Sequence, residues 1–210
     1  MKMGRKKTPL SDSLAVKSSI VDMAETLFRD SGYTKTTVGE IAKALGMSQA
    51  NVYRYFPAKA SINEVICERV VMRIEERCKS IIDETNSSRQ RLSLFMLEYY
   101  RAVKDNVIKD RRLHEMVVKA VEQYWEVIQD HVDRMDMMVR GILSTGIKEG
   151  VFKDMDIPAT SLALQNAFSA FTYPALVERQ IADAASSGGD ERIEADLMSL
   201  ADIVLRGISA

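Results

Sequence analysis

The chain has 210 residues, 46% hydrophobic and 28% charged, enough to build a core and stay in solution. Its 4 prolines and 10 glycines are too few for a sandwich of many short strands and favour long helices. The net charge is −1, yet ten basic residues oppose five acidic ones over residues 1–60, which points to a polyanionic partner at one end of an otherwise acidic chain. Four of those ten belong to the opening MKMGRKK, so the asymmetry alone decides little.

Residues 1–13 lack periodicity and read as a mobile basic arm. From about Leu14 the apolar residues fall at helical spacing, with Ile20, Ala24, Leu27 and Phe28 on one face and Gly32 placed to end the helix. The following TKTTVGEIAKALG starts a second helix, in which Thr37 and Glu40 have the spacing of a capping box. Val38, Ile41, Ala42 and Leu45 give its inner face, and Gly46 ends it. Ser48 can cap a third helix with Val52 and Phe56 inward. Pro57 interrupts, and a long helix is expected from Lys59 to Thr85. The second and third helices are too short to stand alone and become useful as a helix-turn-helix packed on the first.

Further helices are expected over 89–108, 111–120, 122–149, 158–181 and 191–208, joined by short polar links that include Gly150 and SSGGDE. The fold class is therefore all-α: a three-helix unit over 14–58, and a helical bundle over 59–210 entered through the long helix. The stretch from Ile157 to Val177 carries no charge, but its amides, hydroxyls and two prolines make it a buried helix rather than a membrane span. Cys67 and Cys78 lie eleven residues apart in one expected helix. Their Cα atoms would be roughly 16 Å apart, too far for a disulfide. Two free thiols and an N-terminus without an apolar leader fit the cytoplasm and no membrane association.

With Val52 and Phe56 inward, Gln49, Tyr53 and Arg54 are left on the outer face of the third helix, flanked by Asn51 and Tyr55. These side chains suit double-stranded DNA. Arg54 can pair with guanine or phosphate, Gln49 and Asn51 can bond base edges, and tyrosine hydroxyls can reach phosphates. Thr37 and Lys59 stand at helix N-termini, whose dipoles favour phosphates on either side. The competing reading packs Tyr53 and Tyr55 on the adjoining long helix and leaves Arg54 as a solvated charge.

The stretch FRDSGYTKTTVGEIAKALGMSQANVYRYFPAKASI resembles the amino-terminal signature of the tetracycline-repressor (TetR) family of bacterial transcriptional regulators. The match spans roughly residues 14–65 and includes Gly32-Tyr33, Thr36-Thr37-Val38, Ile41-Ala42, Gly46-Met47-Ser48, Val52-Tyr53, Tyr55-Phe56 and Lys59. The resemblance implies a recognition helix over 49–55, backbone contacts from Thr37, Tyr53, Tyr55 and Lys59, and base readout by Gln49, Asn51 and Arg54. Ser48 belongs to the same DNA-binding set. Ala58 stands where the family more often has a small polar cap. The family's carboxy-terminal helices bind a small effector and dimerise through the last two, which implies a homodimeric repressor on a palindromic operator.

Within the bundle, Met96, Tyr99, Tyr100, Tyr124, Trp125, Phe168 and Phe171 are the candidates for an effector pocket, since methionines and polar-tipped aromatics suit such a lining. They suit an ordinary core equally well. Small residues at Ala159, Ala163, Ala167 and Ala170 let a second helix approach closely, and Ile193, Leu197, Leu200, Val204 and Ile208 form a matching stripe on the last helix. Ala163, Ala167, Ala170, Leu197, Leu200 and Val204 are the expected dimer interface. His114 and His131 lack metal-ligand spacing, and no nucleophile, phosphate-loop or paired-cysteine motif occurs. The expectation is no enzyme, no metal and no cofactor. A helical lipid- or drug-binding protein that no longer reads DNA is the alternative, and Tyr53, Arg54 and Lys59 argue against it.

Overall fold

The computed structural model describes residues 9–84, 87–122, 125–185 and 188–210, with the side chains of 9–12 and 84 excepted. The chain divides into two compact units, one up to Glu68 and one from Arg69 to Ala210. The division falls inside the long helix rather than at its start, because Ile62, Ile66 and Cys67 of its first turns are buried and belong to the first unit.

The first unit comprises α1 (Pro9–Ser31), α2 (Val38–Ala44), α3 (Gln49–Tyr55) and the start of α4 (Lys59–Glu84). Helix α1 begins five residues earlier than its periodicity suggests. A proline is well suited to the first helical turn, where its missing N–H has no partner to lose. Residues 9–13, expected in a mobile arm, are thus helical, and residues 1–8 of that arm lie outside the described residues.

Ile20, Val21, Ala24 and Phe28 form the buried stripe of α1 and meet a core of Val38, Ile41, Ala42, Val52 and Phe56. Burial of side chains this size contributes about 1.5–3 kcal/mol each. Gly32 ends α1 at φ 91°, its N–H bonded to the Phe28 carbonyl at 2.9 Å. The expected capping box is present: the Glu40 N–H donates to Thr37 Oγ1 at 3.2 Å and the Thr37 N–H to Glu40 Oε2 at 2.7 Å. Gly46, at φ 65°, closes α2. Its N–H reaches the Lys43 carbonyl and that of Met47 reaches the Ala42 carbonyl, the paired bonds of a Schellman turn. The polar cap missing at Ala58 is replaced from within α4, where Ser61 Oγ accepts from the Ala58 N–H at 3.3 Å and donates to its carbonyl at 2.7 Å.

The second unit holds the rest of α4, then α5 (Ser88–Val103), a π-turn (Lys104–Ile108), α6 (Arg111–Glu122), α7 (Glu126–Lys148), α8 (Ile157–Thr172), α9 (Pro174–Ala184) and α10 (Gly189–Ile208). Two expected helices are interrupted. The one over 158–181 breaks at Tyr173, whose extended backbone (ψ 119°) is what the following Pro174 demands. The one over 89–108 widens at its end, where the Lys109 N–H bonds five residues back to the Lys104 carbonyl.

The chain end is tied down. The Lys153 N–H donates to the Ile208 carbonyl at 3.0 Å and the Ala210 N–H to the Val151 carbonyl at 3.1 Å, around a single bridge between Phe152 and Ser209. Phe152 is buried against Gly146, where an added Cβ would lie 2.1 Å from the ring, so only glycine fits there. Tyr100 is fully buried and donates to Asp190 at 2.6 Å, joining α5 to α10. Cys67 and Cys78 are free and buried, and burial, with Glu64 nearby, pushes the Cys67 thiol up to about 12. Among the described residues, no helix is long and apolar enough to cross a membrane.

Candidate functional site

In the first unit the side chains expected to read DNA are presented by α3. Val52 and Phe56 are buried, which turns the opposite side outward: Gln49 and Arg54 are exposed, Tyr53 is 44% exposed, and Asn51 and Tyr55 are half-buried. The reading that packs both tyrosines inward therefore applies only to part of Tyr55. Ser48 caps α3 by accepting from the Asn51 N–H at 3.2 Å. Gln49 Nε2 lies 3.4 Å from the Tyr53 hydroxyl one turn on, so the two polar groups share one face. Thr37 is exposed at the start of α2. Its hydroxyl donates to Glu40 Oε2, and the bonds from the Thr37 backbone and side chain hold the Glu40 carboxyl below its ordinary value.

Lys59 departs from expectation. Its ammonium does not project freely from the start of α4. It donates to the Tyr33 carbonyl at 2.8 Å and the Thr36 carbonyl at 3.0 Å, and lies 4.3 Å from the Tyr33 ring centroid. Tyr33 in turn stands edge-on to Phe28 at 5.1 Å. Lys59 is thus a clamp on the α1–α2 loop.

The second unit encloses a cavity of about 560 Å³. Its walls come from α4 to α8, the π-turn and the start of α9, and are mostly aliphatic and aromatic, with Val70, Ile74, Phe95, Met96, Met135 and Phe168 among them. One wall is polar. Tyr99 and His131 both line the cavity, with the phenol oxygen 3.2 Å from His131 Nε2. His131 Nδ1 lies 2.8 Å from Glu75 Oε1, and Arg134 donates to both Glu75 oxygens at 2.9 and 3.0 Å. Burial pushes the Glu75 carboxyl up, but the bonds from His131 and Arg134 outweigh it and hold it below the ordinary range. Burial also pushes the Tyr99 phenol up, helped by Cys78 and Glu75, so it stays protonated. Glu75 stands behind the lining, and two carboxylates belong to it, Glu122 and Asp136, the latter bonded by Ser161 and Arg140.

Residues 20–65 match the family model described as bacterial regulatory proteins, tetR family, and residues 88–191 match that of the tetracyclin repressor-like C-terminal domain. The chain belongs to the TetR family.

Among its relatives, the fatty acid metabolism regulator protein of Bacillus subtilis (strain 168) is 22% identical over 139 residues, 64% of this chain and 70% of the relative. The transcriptional repressor KstR2 of Rhodococcus jostii (strain RHA1) is 24% identical over 147 residues, 67% of this chain and 70% of the relative. The solved structure of FadR from Bacillus subtilis in complex with stearoyl-CoA shares the fold, with a TM-score of 0.58 and 18% identity over 90% of this chain and 95% of that one.

In this TetR chain the cavity takes in Met96, Tyr99 and Phe168 of the expected effector residues. Tyr100 and Phe171 pack edge to face on each other outside the lining, and Trp125 precedes α7 without lining it. Tyr124 lies outside the described residues. The Tyr99–His131–Glu75 series went unread in the sequence. The signal was present: His131 interrupts the stripe Ile128, Met135, Val139 and Ile142 that α7 buries, and a polar residue so placed needs a partner.

Of the expected interface residues, Ala163 and Ala167 are exposed on α8, while Ala170, Leu200 and Val204 are half-buried. Leu197 is fully buried in the core of its own chain and so cannot meet a second subunit. The large outward apolar residues of α8 and α10 are instead Leu162, 55% exposed, Met198, 37% exposed, and Ile203, 67% exposed.

Proposed function

We propose that this TetR-family regulator acts as a homodimer that represses transcription by binding a palindromic operator, and leaves it when a small apolar molecule occupies the cavity. The observation that carries this reading is the apolar cavity of about 560 Å³ in the same chain as the exposed Gln49, Tyr53 and Arg54 face. The KstR2 relative is named a repressor, and the FadR structure holds stearoyl-CoA, whose long apolar chain is the kind of body these walls suit. Exposed Leu162, Ala163 and Ala167 on α8 and Ile203 on α10 support a four-helix interface across a two-fold axis.

Release needs a ligand that binds the DNA-incompatible form more tightly. Helix α4 offers a route, since Val70, Val71 and Ile74 line the cavity while Ile62 and Ile66 of the same helix lie in the core of the DNA-binding unit. A shift of α4 changes the spacing of two recognition helices that must enter successive major grooves about 34–36 Å apart. The role is binding, without turnover of a substrate.

Sequencing DNA fragments retained by the purified protein identifies the operator, and anisotropy titration then tests the reading face. Arg54→Ala is expected to lose about 1–3 kcal/mol of operator affinity and to relax preference at one position in each half-site. Unchanged affinity and preference would move the DNA surface away from α3.

A further inference from the structure

The polar wall of the cavity has a direction. The Glu75 carboxylate can only accept hydrogen bonds, and it accepts two from Arg134. His131 Nδ1, 2.8 Å from the same carboxylate, therefore carries a proton. Wherever the ring is neutral, Nε2 is then an acceptor, and the Tyr99 hydroxyl, 3.2 Å away, is placed to donate to it. With its only proton committed to His131, the Tyr99 oxygen has just lone pairs left for a molecule in the cavity. At this contact that molecule must bring the donor, whereas Gln129, Gln165 and Asn166 offer amide donors elsewhere on the lining.

The charge around the cavity acts in the same sense. No lysine or arginine lines it among the described residues, whereas Glu122 and Asp136 do. A carboxylate head group at Tyr99 would lose its water and find an acceptor there, with no lysine or arginine among the described lining residues to pair it. An ester or thioester carbonyl would also meet the phenol oxygen without a proton between them.

We propose that Tyr99 is a specificity-determining contact of the cavity, oriented by His131 and Glu75, and that it favours an uncharged apolar effector carrying a hydroxyl. This rests on the reading of the cavity as the effector site. Tyr99 is the contact residue, and His131 and Glu75 are positioning residues that fix where its proton points.

The test uses the full chain and displacement of the neutral dye N-phenyl-1-naphthylamine by three probes with the same tail: 1-decanol, decanoate and 1-methoxydecane. Wild-type protein is expected to bind 1-decanol at least about tenfold more tightly than either other probe. Tyr99→Phe keeps the ring and removes the oxygen. It should bring 1-decanol within about twofold of 1-methoxydecane while leaving 1-methoxydecane binding unchanged. His131→Gln should erode the same preference by freeing the phenol to donate.

The wild-type ranking stands even if a variant fails to fold. Tighter binding of decanoate than of 1-decanol, or equal binding of all three, overturns the proposal and leaves the cavity as the effector site. If neither dye nor probe binds, the effector reading falls, and this inference falls with it.

Discussion

Asn63 has no accessible surface in the first turns of α4, and among the described residues neither its amide nitrogen nor its carbonyl oxygen has a hydrogen-bond partner. A buried amide left unpaired costs about 1–3 kcal/mol, and an apolar residue of the same shape removes that cost. Asn63→Leu is expected to raise the stability of the folded protein by about 1–3 kcal/mol in urea denaturation. A lower midpoint would show that the amide is bonded in the folded protein. His131 is a contrasting case at the same scale. It is also buried and polar, but both of its ring nitrogens are within bonding distance of a partner, Glu75 on one side and Tyr99 on the other. That satisfaction makes it suited to hold a neighbour in place.

The loop between α1 and α2 shows how an element depends on a distant charge. Two of its carbonyls, those of Tyr33 and Thr36, accept from the Lys59 ammonium, which also lies over the Tyr33 ring. Lys59→Met keeps the stem and removes the donor. It is expected to destabilise the protein by about 1–3 kcal/mol and to weaken binding to all DNA sequences alike, since the recognition unit is loosened as a whole. Unaltered stability with a flatter salt dependence of DNA binding would return Lys59 to a phosphate contact.

This loop also marks a limit of what the chain's pattern can tell. Capping and periodicity are local, and they located α2, α3 and both glycine turns from Thr37, Ser48, Gly32 and Gly46. The inward face of α3 followed from Val52 and Phe56. The role of Lys59 depends on carbonyls more than twenty residues away, which no periodicity encodes. Tyr173 before Pro174 was a readable break that the uncharged run from 157 to 177 masked. The cavity was least legible, because an apolar side chain facing empty space and one facing a neighbour have the same sequence. Tyr100 and Phe171 thus share a sequence pattern with Tyr99, though they belong to packing between helices.

At the scale of the whole molecule, dimerisation and release are the two things the account requires. Ala167 is exposed on α8 beside Leu162 and Ala163. Ala167→Arg adds a long charged side chain to that close-packing face. It is expected to leave the chain folded and to shift sedimentation at micromolar concentration from dimer to monomer. Tight operator binding should be lost with it, since a lone half-site holds little affinity. A monomeric wild-type protein under the same conditions would remove the four-helix interface.

Release from the operator is decided by a single titration. Operator affinity is measured by fluorescence anisotropy with and without saturating 1-decanol, at fixed salt because phosphate contacts make affinity salt-dependent. The account predicts that the alcohol weakens operator binding about 5–150-fold, and that saturating operator weakens binding of the alcohol by the same factor, as linkage requires. Operator affinity that stays unchanged while 1-decanol demonstrably occupies the cavity would contradict it.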